Sequence, residues 1–471
     1  MWKKEACFPW SVAGVSATAF ISWALVSKFS AVGTIGYKVG GWAPPWGIHI
    51  RIDFIGMLLA VVISSAGLLI LIYSWRYIVH EVEEAKIPYY YTLYLLIFAA
   101  MLGFSITGDL FNLFVFMEIF SITSYALVAV SGEGKALRAA FKYLLMGAVS
   151  SITVLFSIAF LYSVIGSLNM LDISKRLPNT PYVVVVNTAL ALFTAAFAVK
   201  AAVFPVHMWL PDAHSIAPSP ISAILSALVI KMGVLGIFRV VFTIYGHGFP
   251  STSNLWSSLC GFVSWAAAFS IVIGSSMAII QRELKVMIAY SSVAHIGYIL
   301  LGICMLAPRG MTGGIFNIVA HAMGKACFFL VAGSLIYKHN MKRIRELRGI
   351  GRTMPVTAGA FAIASLSIVG LPPSAGFMAK WYLLWGCFQK GRYVFVAMVL
   401  LGSLLSAIYC FRVVYYMFFT GPRLHTQKVD EVPPSMYVPA ALLSLGTLVL
   451  GIYSTPLISA INKFVGSLPV K

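Results

Sequence analysis

Phe197-Ala-Val-Lys200-Ala-Ala-Val-Phe-Pro205-Val-His-Met-Trp209-Leu-Pro211-Asp212-Ala-His214 closes an apolar run that starts near residue 182. A run of that length and composition can cross a bilayer. It nevertheless holds Lys200 and, five positions on, Pro205. Proline removes a backbone donor and clashes with the preceding turn, so a helix breaks there. The freed carbonyls must line protein or water, because lipid cannot satisfy them. A lysine beside the break gains hydration and a helix-end dipole as partners. A second stretch repeats the design: Ile368-Val-Gly-Leu-Pro372-Pro373-Ser-Ala-Gly376-Phe-Met-Ala-Lys380. The two stretches read as broken membrane helices with an ionisable group at each break.

The surrounding chain agrees. Of its 471 residues, 60% are hydrophobic and 10% charged, and mean hydropathy is +0.91. A soluble chain would carry about 25% charged residues. This composition excludes a soluble enzyme, a disordered chain and a disulfide scaffold. Ten-residue alternation is missing, which argues against an outer-membrane barrel. The expected fold is an all-α polytopic membrane protein with about 13 spans, each needing about 20 apolar residues. They fall near 10–29, 54–75, 90–108, 110–130, 138–165, 182–206, 219–245, 255–280, 286–306, 312–337, 356–388, 393–420 and 436–460. The first run lacks a small-residue cleavage site and is read as a span.

Phe141 to Tyr162 aligns without gaps on Phe316 to Tyr337, and a proline-broken span follows each. An offset of five spans is odd and inverts topology. The expected organisation is N-terminal helices over 1–89, a five-helix repeat over 90–245, an inverted repeat over 255–420, and a C-terminal span within 421–471. Paired broken helices in inverted halves point to an ion pathway near the bilayer midplane.

Lys and Arg number 33 against 14 Asp and Glu, for a net charge of +19. Most basic residues lie in short loops, so topology and anionic lipid explain them without a nucleic acid partner. Loops on the N-terminal side are richer, notably Lys338, Lys342, Arg343, Arg345, Arg348 and Arg352. That bias puts the N-terminus in the cytoplasm and the C-terminus outside, in the cell membrane. The cysteines form no CxxC or Cys/His cluster, so no metal or cofactor site is expected in this chain.

A charge near the bilayer centre costs from about 3 to more than 10 kcal/mol. Lys200, Lys231, Lys325, Lys380 and Glu118 lie deep in spans, with His295 and His321. They must face one another, water or a partner subunit. Glu118 is expected to form one ion pair, leaving several lysines over. A lysine whose protonation depends on a movable partner can act as a switch, and a chain of them is a proton relay. The bland alternative holds that these charges serve assembly. His295 and His321 fit helix packing as well as a relay. Lys28, Lys142, Arg239 and Arg412 sit within snorkelling reach of span ends. Asp109 and Asp212 are expected to cap helices.

The Lys200 block, with Ala217-Pro218 and Leu228-Val-Ile-Lys231-Met-Gly233, resembles the antiporter-like subunits of respiratory complex I, Mrp antiporters and membrane-bound hydrogenases. Asp109-Leu-Phe-Asn-Leu-Phe-Val-Phe-Met-Glu118, Leu284-Lys285 through His295-Ile-Gly297, His321-Ala-Met-Gly-Lys325 and the Pro372-Pro373 stretch carry the same resemblance. It covers about residues 50–420. It implies that Glu118 pairs with Lys200, and that Lys231 is the next relay lysine. His295, His321 and Lys325 would form the central axis, with Lys380 as the terminal relay residue. Some members have Glu at that last position; Lys groups this chain with D-type Mrp subunits. The resemblance also implies two inverted five-helix repeats. Members commonly have fourteen spans, and the first is read as missing here, as is the lateral helix of the longest complex I member. The implied activity is movement of protons, with or without Na⁺, inside a complex containing other antiporter-like membrane subunits. Iron–sulfur clusters, a NiFe site or flavin would sit in partners. The rival readings are a Mrp-type Na⁺/H⁺ antiporter component and a non-conducting scaffold.

Overall fold

Helix ends follow local sequence chemistry in the computed structural model, which describes residues 4–246, 253–421 and 430–468. Helices α1 (Lys4–Val32), α2 (Phe54–Glu81), α3 (Ile87–Ile106), α4 (Leu110–Val128) and α5 (Gly134–Ile165) come first. Asp53 caps α2 by accepting from the Gly56 amide, and Asp109 caps α4 through the Asn112 amide. Gly166 ends α5 in the left-handed region. A short α6 (Met170–Arg176) precedes α7 (Val183–Lys200) and α8 (Trp209–Ile216). The break expected near Pro205 therefore lies between α7 and α8.

Next come α9 (Ser219–Ile244), α10 (Ser253–Ile280), α11 (Leu284–Cys304) and α12 (Pro308–His339). The expected span 356–388 is split into α13 (Pro355–Val369) and α14 (Ala375–Gln389). Gly370, at φ +87°, ends α13, and Pro372 and Pro373 fill the gap. The chain continues through α15 (Tyr393–Phe419), α16 (Pro434–Ile452) and α17 (Thr455–Gly466). Among the described residues, twelve helices are long and apolar enough to cross a membrane, and the split pair α13–α14 stands beside them.

Two features depart from the expected layout. The last span stops at Ile452, and α17 is a separate amphipathic helix burying Ile458, Ile461 and Val465. Its Phe464 packs on Phe54 and Phe238, and its Asn462 accepts from Thr312. Residues 35–52 form a small antiparallel hairpin, β1 (Ile35–Lys38) with β2 (His49–Ile52), pairing Ile35 with Ile52 and Lys38 with His49. Ile50 bridges to Thr107, and Asp109 to Asn169, tying successive turns at that end of the bundle. His49 lies there, outside the helices. Burial and then the nearby Arg51 and Lys38 hold its pKa below the usual imidazole value.

The core runs along α9, α11 and α12, which are buried over nearly their whole length, whereas α1 is largely exposed. Close approach is enforced by glycine at both breaks. A Cβ on Gly233 of α9 would collide with the Ala201 nitrogen, just past the end of α7. One on Gly376 of α14 would collide with the Ser367 carbonyl oxygen of α13.

Candidate functional site

Glu118, Ser121 and Tyr125 share one face of α4, at i, i+3 and i+7. Lys200, in the last turn of α7, reaches that face and is buried. Its Nζ donates to Ser121 Oγ at 2.7 Å and to Tyr125 OH at 3.4 Å. Ser121 thus takes the place of the expected direct Glu118–Lys200 ion pair. No ion pair to Glu118 occurs among the described residues, and its Oε1 is buried without a hydrogen-bond partner. Glu118 instead lines a lateral cleft of about 480 Å³ between α4 and α5, walled by Tyr125, Leu137, Phe141 and Leu144.

Lys231 sits in α9 just after a π-helical turn, Leu225–Val229. Such turns widen a helix and recur at functional sites. Lys231 Nζ donates to the Ser226 carbonyl at 2.7 Å and lies 2.5 Å from His321 Nδ1. The His321 ring stacks on His295 with centroids 5.1 Å apart. His295 meets Tyr298 edge-on at 5.3 Å, and Lys380 Nζ stands 4.5 Å over the same Tyr298 ring. Lys380 also donates to the carbonyls of Ile368 and Val369, at 3.1 and 2.9 Å. These are the last carbonyls of α13, so the ammonium sits at the negative end of a half-helix. Lys325, fully buried in α12, donates to Ser291 Oγ and, at 3.2 Å, to the Ile288 carbonyl. The structure therefore brings Lys231, His321, His295 and Lys380 into one run, with Lys325 alongside and Glu118 and Lys200 at the α4–α7 end.

The observed roles of further polar groups escaped the sequence reading. Arg239, expected to snorkel, is buried and holds Asp53 through both carboxylate oxygens. Its partner lies 186 positions away, beyond any local pattern. Lys285, one position outside the expected span 286–306, is buried and donates to the Ala217 carbonyl. His214 is fully buried, with neither ring nitrogen hydrogen-bonded and Phe329 stacked on the ring. Asp212, expected as a cap, pairs with Lys142 at 2.8 Å, both about half exposed. Arg412 donates to the carbonyls of Ile279 and Gln281, at the C-terminal end of α10. The one sequence signal for these residues was the cost of burying their charge.

A helical membrane bundle with amines and imidazoles threaded between two broken helices defines a class: membrane proteins built around protonatable groups in their core. The chain belongs to the family described as NADH:quinone oxidoreductase/Mrp antiporter, transmembrane, which it matches over residues 107–406. It is similar to NADH-quinone oxidoreductase subunit N of Desulforudis audaxviator, 38% identical over 440 residues, covering 91% of this chain and 86% of that one. It is also similar to the D-type subunit of the Na(+)/H(+) antiporter of Bacillus subtilis, 29% identical over 443 residues, covering 94% and 88%. A chain in the solved membrane-bound sulfane sulfur reductase, an archaeal respiratory membrane complex, superposes with a TM-score of 0.90 at 31% identity. That match covers 98% of this chain and 91% of the other.

Proposed function

We propose that this chain is the proton-translocating membrane subunit of a multisubunit, redox-driven respiratory complex. The observation that carries the reading is the Lys231–His321 contact at 2.5 Å, inside a run of buried amines and imidazoles ending at a half-helix terminus. An amine against an imidazole in a low-dielectric core cannot hold two protons, so a proton on one leaves the other neutral. That is the elementary property of a relay. Glu118, Lys200, Lys231, His295, His321, Lys325 and Lys380 are its members. Glu118, with one unpartnered oxygen beside the lateral cleft, is the group through which an adjacent antiporter-like subunit is sensed.

The halves 90–245 and 255–420 act as inverted repeats, each supplying one break, at Pro205 and at Pro372–Pro373. The N-terminus lies in the cytoplasm and the C-terminus outside. Impermeant labelling of single cysteines at both ends checks this, and finding both ends on one side overturns it. Redox cofactors such as iron–sulfur clusters, a NiFe site or flavin reside in partner subunits. The similarity to the Bacillus subtilis antiporter chain favours a second reading, a Mrp-type component that exchanges Na⁺ for protons.

The test is proton uptake by the whole complex in proteoliposomes. Glu118→Gln and Lys200→Ala each abolish uptake while the complex still assembles. Normal uptake by either assembled variant defeats the relay at that end and favours a scaffold. Sodium-dependent proton movement without redox turnover favours the antiporter reading.

A further inference from the structure

Lys325 stands alongside the run described above, and two buried hydroxyls join the groups that hold it to those that hold Lys231. We infer that Ser226 of α9 and Ser292 of α11 are positioning residues, whose hydroxyl bridge fixes the spacing of Lys231 and Lys325. The inference rests on the translocating function proposed above.

The π-helical turn Leu225–Val229 sends the Ile230 amide to the Leu225 carbonyl. A regular α-helix would pair that amide with the Ser226 carbonyl. The Ser226 carbonyl instead accepts from Lys231 Nζ at 2.7 Å. The hydroxyl of the same Ser226 lies 2.8 Å from Ser292 Oγ. Ser292 gives its own hydrogen to the Ile288 carbonyl, at 3.0 Å. A hydroxyl has one hydrogen, so in the bridge Ser226 donates and Ser292 accepts. The Ile288 carbonyl also accepts from Ser291 Oγ at 2.9 Å and from Lys325 Nζ at 3.2 Å. Ser291 Oγ in turn accepts a second N–H of Lys325. Ser226 therefore holds Lys231 by its carbonyl and, by its hydroxyl, grips the turn of α11 that holds Lys325. Ser226, Ser291, Ser292 and Lys325 are wholly buried, and Lys231 nearly so.

The spacing matters because the two lysines carry like charge. Two ammonium groups repel in inverse proportion to their separation, and more strongly in a low-dielectric core than in water. A bridge that fixes their distance therefore fixes how strongly a proton on one opposes a proton on the other. Alanine at either serine leaves each lysine its carbonyl acceptor but unties α9 from α11 between them.

The experiment reads proton uptake per assembled complex in proteoliposomes, and the melting temperature of the same complexes. It compares Ser292→Ala, the double variant Ser226→Ala with Ser292→Ala, and Ser292→Thr, with Lys231→Met and Ser264→Ala alongside. Ser292→Ala strands the Ser226 hydroxyl in the core and lowers stability; the double variant removes both partners and recovers it. Uptake does not follow stability. It falls about ten-fold in both, because a group misplaced by about 1 Å can lose as much as about 100-fold. Threonine keeps the hydroxyl and its bond to the carbonyl four residues back, so Ser292→Thr stays within about two-fold of the unaltered chain. Ser264 of α10 is buried and donates to the Cys260 carbonyl of its own helix, and Ser264→Ala leaves uptake unchanged. Should Ser292→Thr crowd the site and fail to assemble, Ser226→Ala carries the criterion. It leaves Ser292 bonded to the Ile288 carbonyl, strands nothing, and still slows uptake about ten-fold. Uptake that recovers with stability in the double variant, or a threonine variant as slow as the alanine one, overturns the inference. If the alanine variants and Lys231→Met all keep full uptake, the proposed function itself fails; if Lys231→Met is inactive while they keep it, only the bridge does.

Discussion

Replacing Asp53 tests how the pathway helix α9 is held. Arg239, eight residues beyond Lys231 and so about 12 Å along the helix, donates Nη2 to Asp53 Oδ1 at 3.0 Å and Nη1 to Oδ2. Nη2 also donates to the Ser105 carbonyl at 3.0 Å. The two side chains are 2% and 12% exposed. Removing one partner of such a pair strands a buried charge, at about 3–5 kcal/mol. Asp53 also caps α2 through the Gly56 amide, and losing a cap adds about 1 kcal/mol. Asp53→Asn keeps the cap and should cost about 3 kcal/mol; Asp53→Ala should cost about 1 kcal/mol more. Adding Arg239→Met removes the stranded charge, so the double variant should recover most of the loss. The assay is an unfolding double-mutant cycle in mixed micelles, where the coupling should exceed about 2 kcal/mol. Strictly additive losses, or an Asp53→Ala cost below about 1 kcal/mol, refute the claim that this pair clamps α9 to α2.

Other positions give independent checks. Gly233→Ala drives a Cβ into the Ala201 nitrogen, costing about 1–3 kcal/mol and lowering translocation; Gly261→Ala, with open space around it, is the neutral control. Lys380→Met preserves assembly and impairs proton uptake, while Lys380→Glu retains part of it, because a carboxylate can also carry a proton. Unchanged uptake per assembled Lys380→Met complex contradicts the assignment. The depressed pKa of His49 means that the unfolded segment takes up a proton first as pH falls below about 6.5. The hairpin is therefore most stable above that pH and opens more readily below it. Hydrogen exchange of residues 35–52, corrected for intrinsic rates, should show this, and His49→Gln should abolish it.

Much of the bundle is legible in the sequence because lipid imposes a coarse rule. Apolar runs of span length, bounded by Pro, Gly and charges, gave α2 to α5 and α9 to α12 with ends that differ by up to six residues, the largest gap being at the end of α2. Pro205 and Pro372–Pro373 located both breaks, since proline is incompatible with a continuous ladder. The rule fails at the edges. Ser454 and Pro456 cut the last apolar run, and hydropathy alone does not separate α16 from the amphipathic α17. The β1–β2 hairpin has four-residue strands, too short to show a period. For the site, depth picked out Glu118, Lys200, Lys231, Lys325 and Lys380, because burying a charge is costly wherever it happens. Depth could not reveal that Ser121 stands in for Glu118 as the acceptor for Lys200. Nor could it reveal that Arg239 is paired rather than snorkelling, since such contacts depend on helices far apart in sequence.

Lys231→Met in the intact complex addresses the relay at its centre, with Lys28→Met on the exposed face of α1 as the matched control. Both variants remove one charge and keep much of the side-chain volume. Proton uptake per assembled complex, measured in proteoliposomes, should be lost in Lys231→Met and unchanged in Lys28→Met. Full uptake by an assembled Lys231→Met complex would contradict the claim that protons pass through the Lys231–His321 contact.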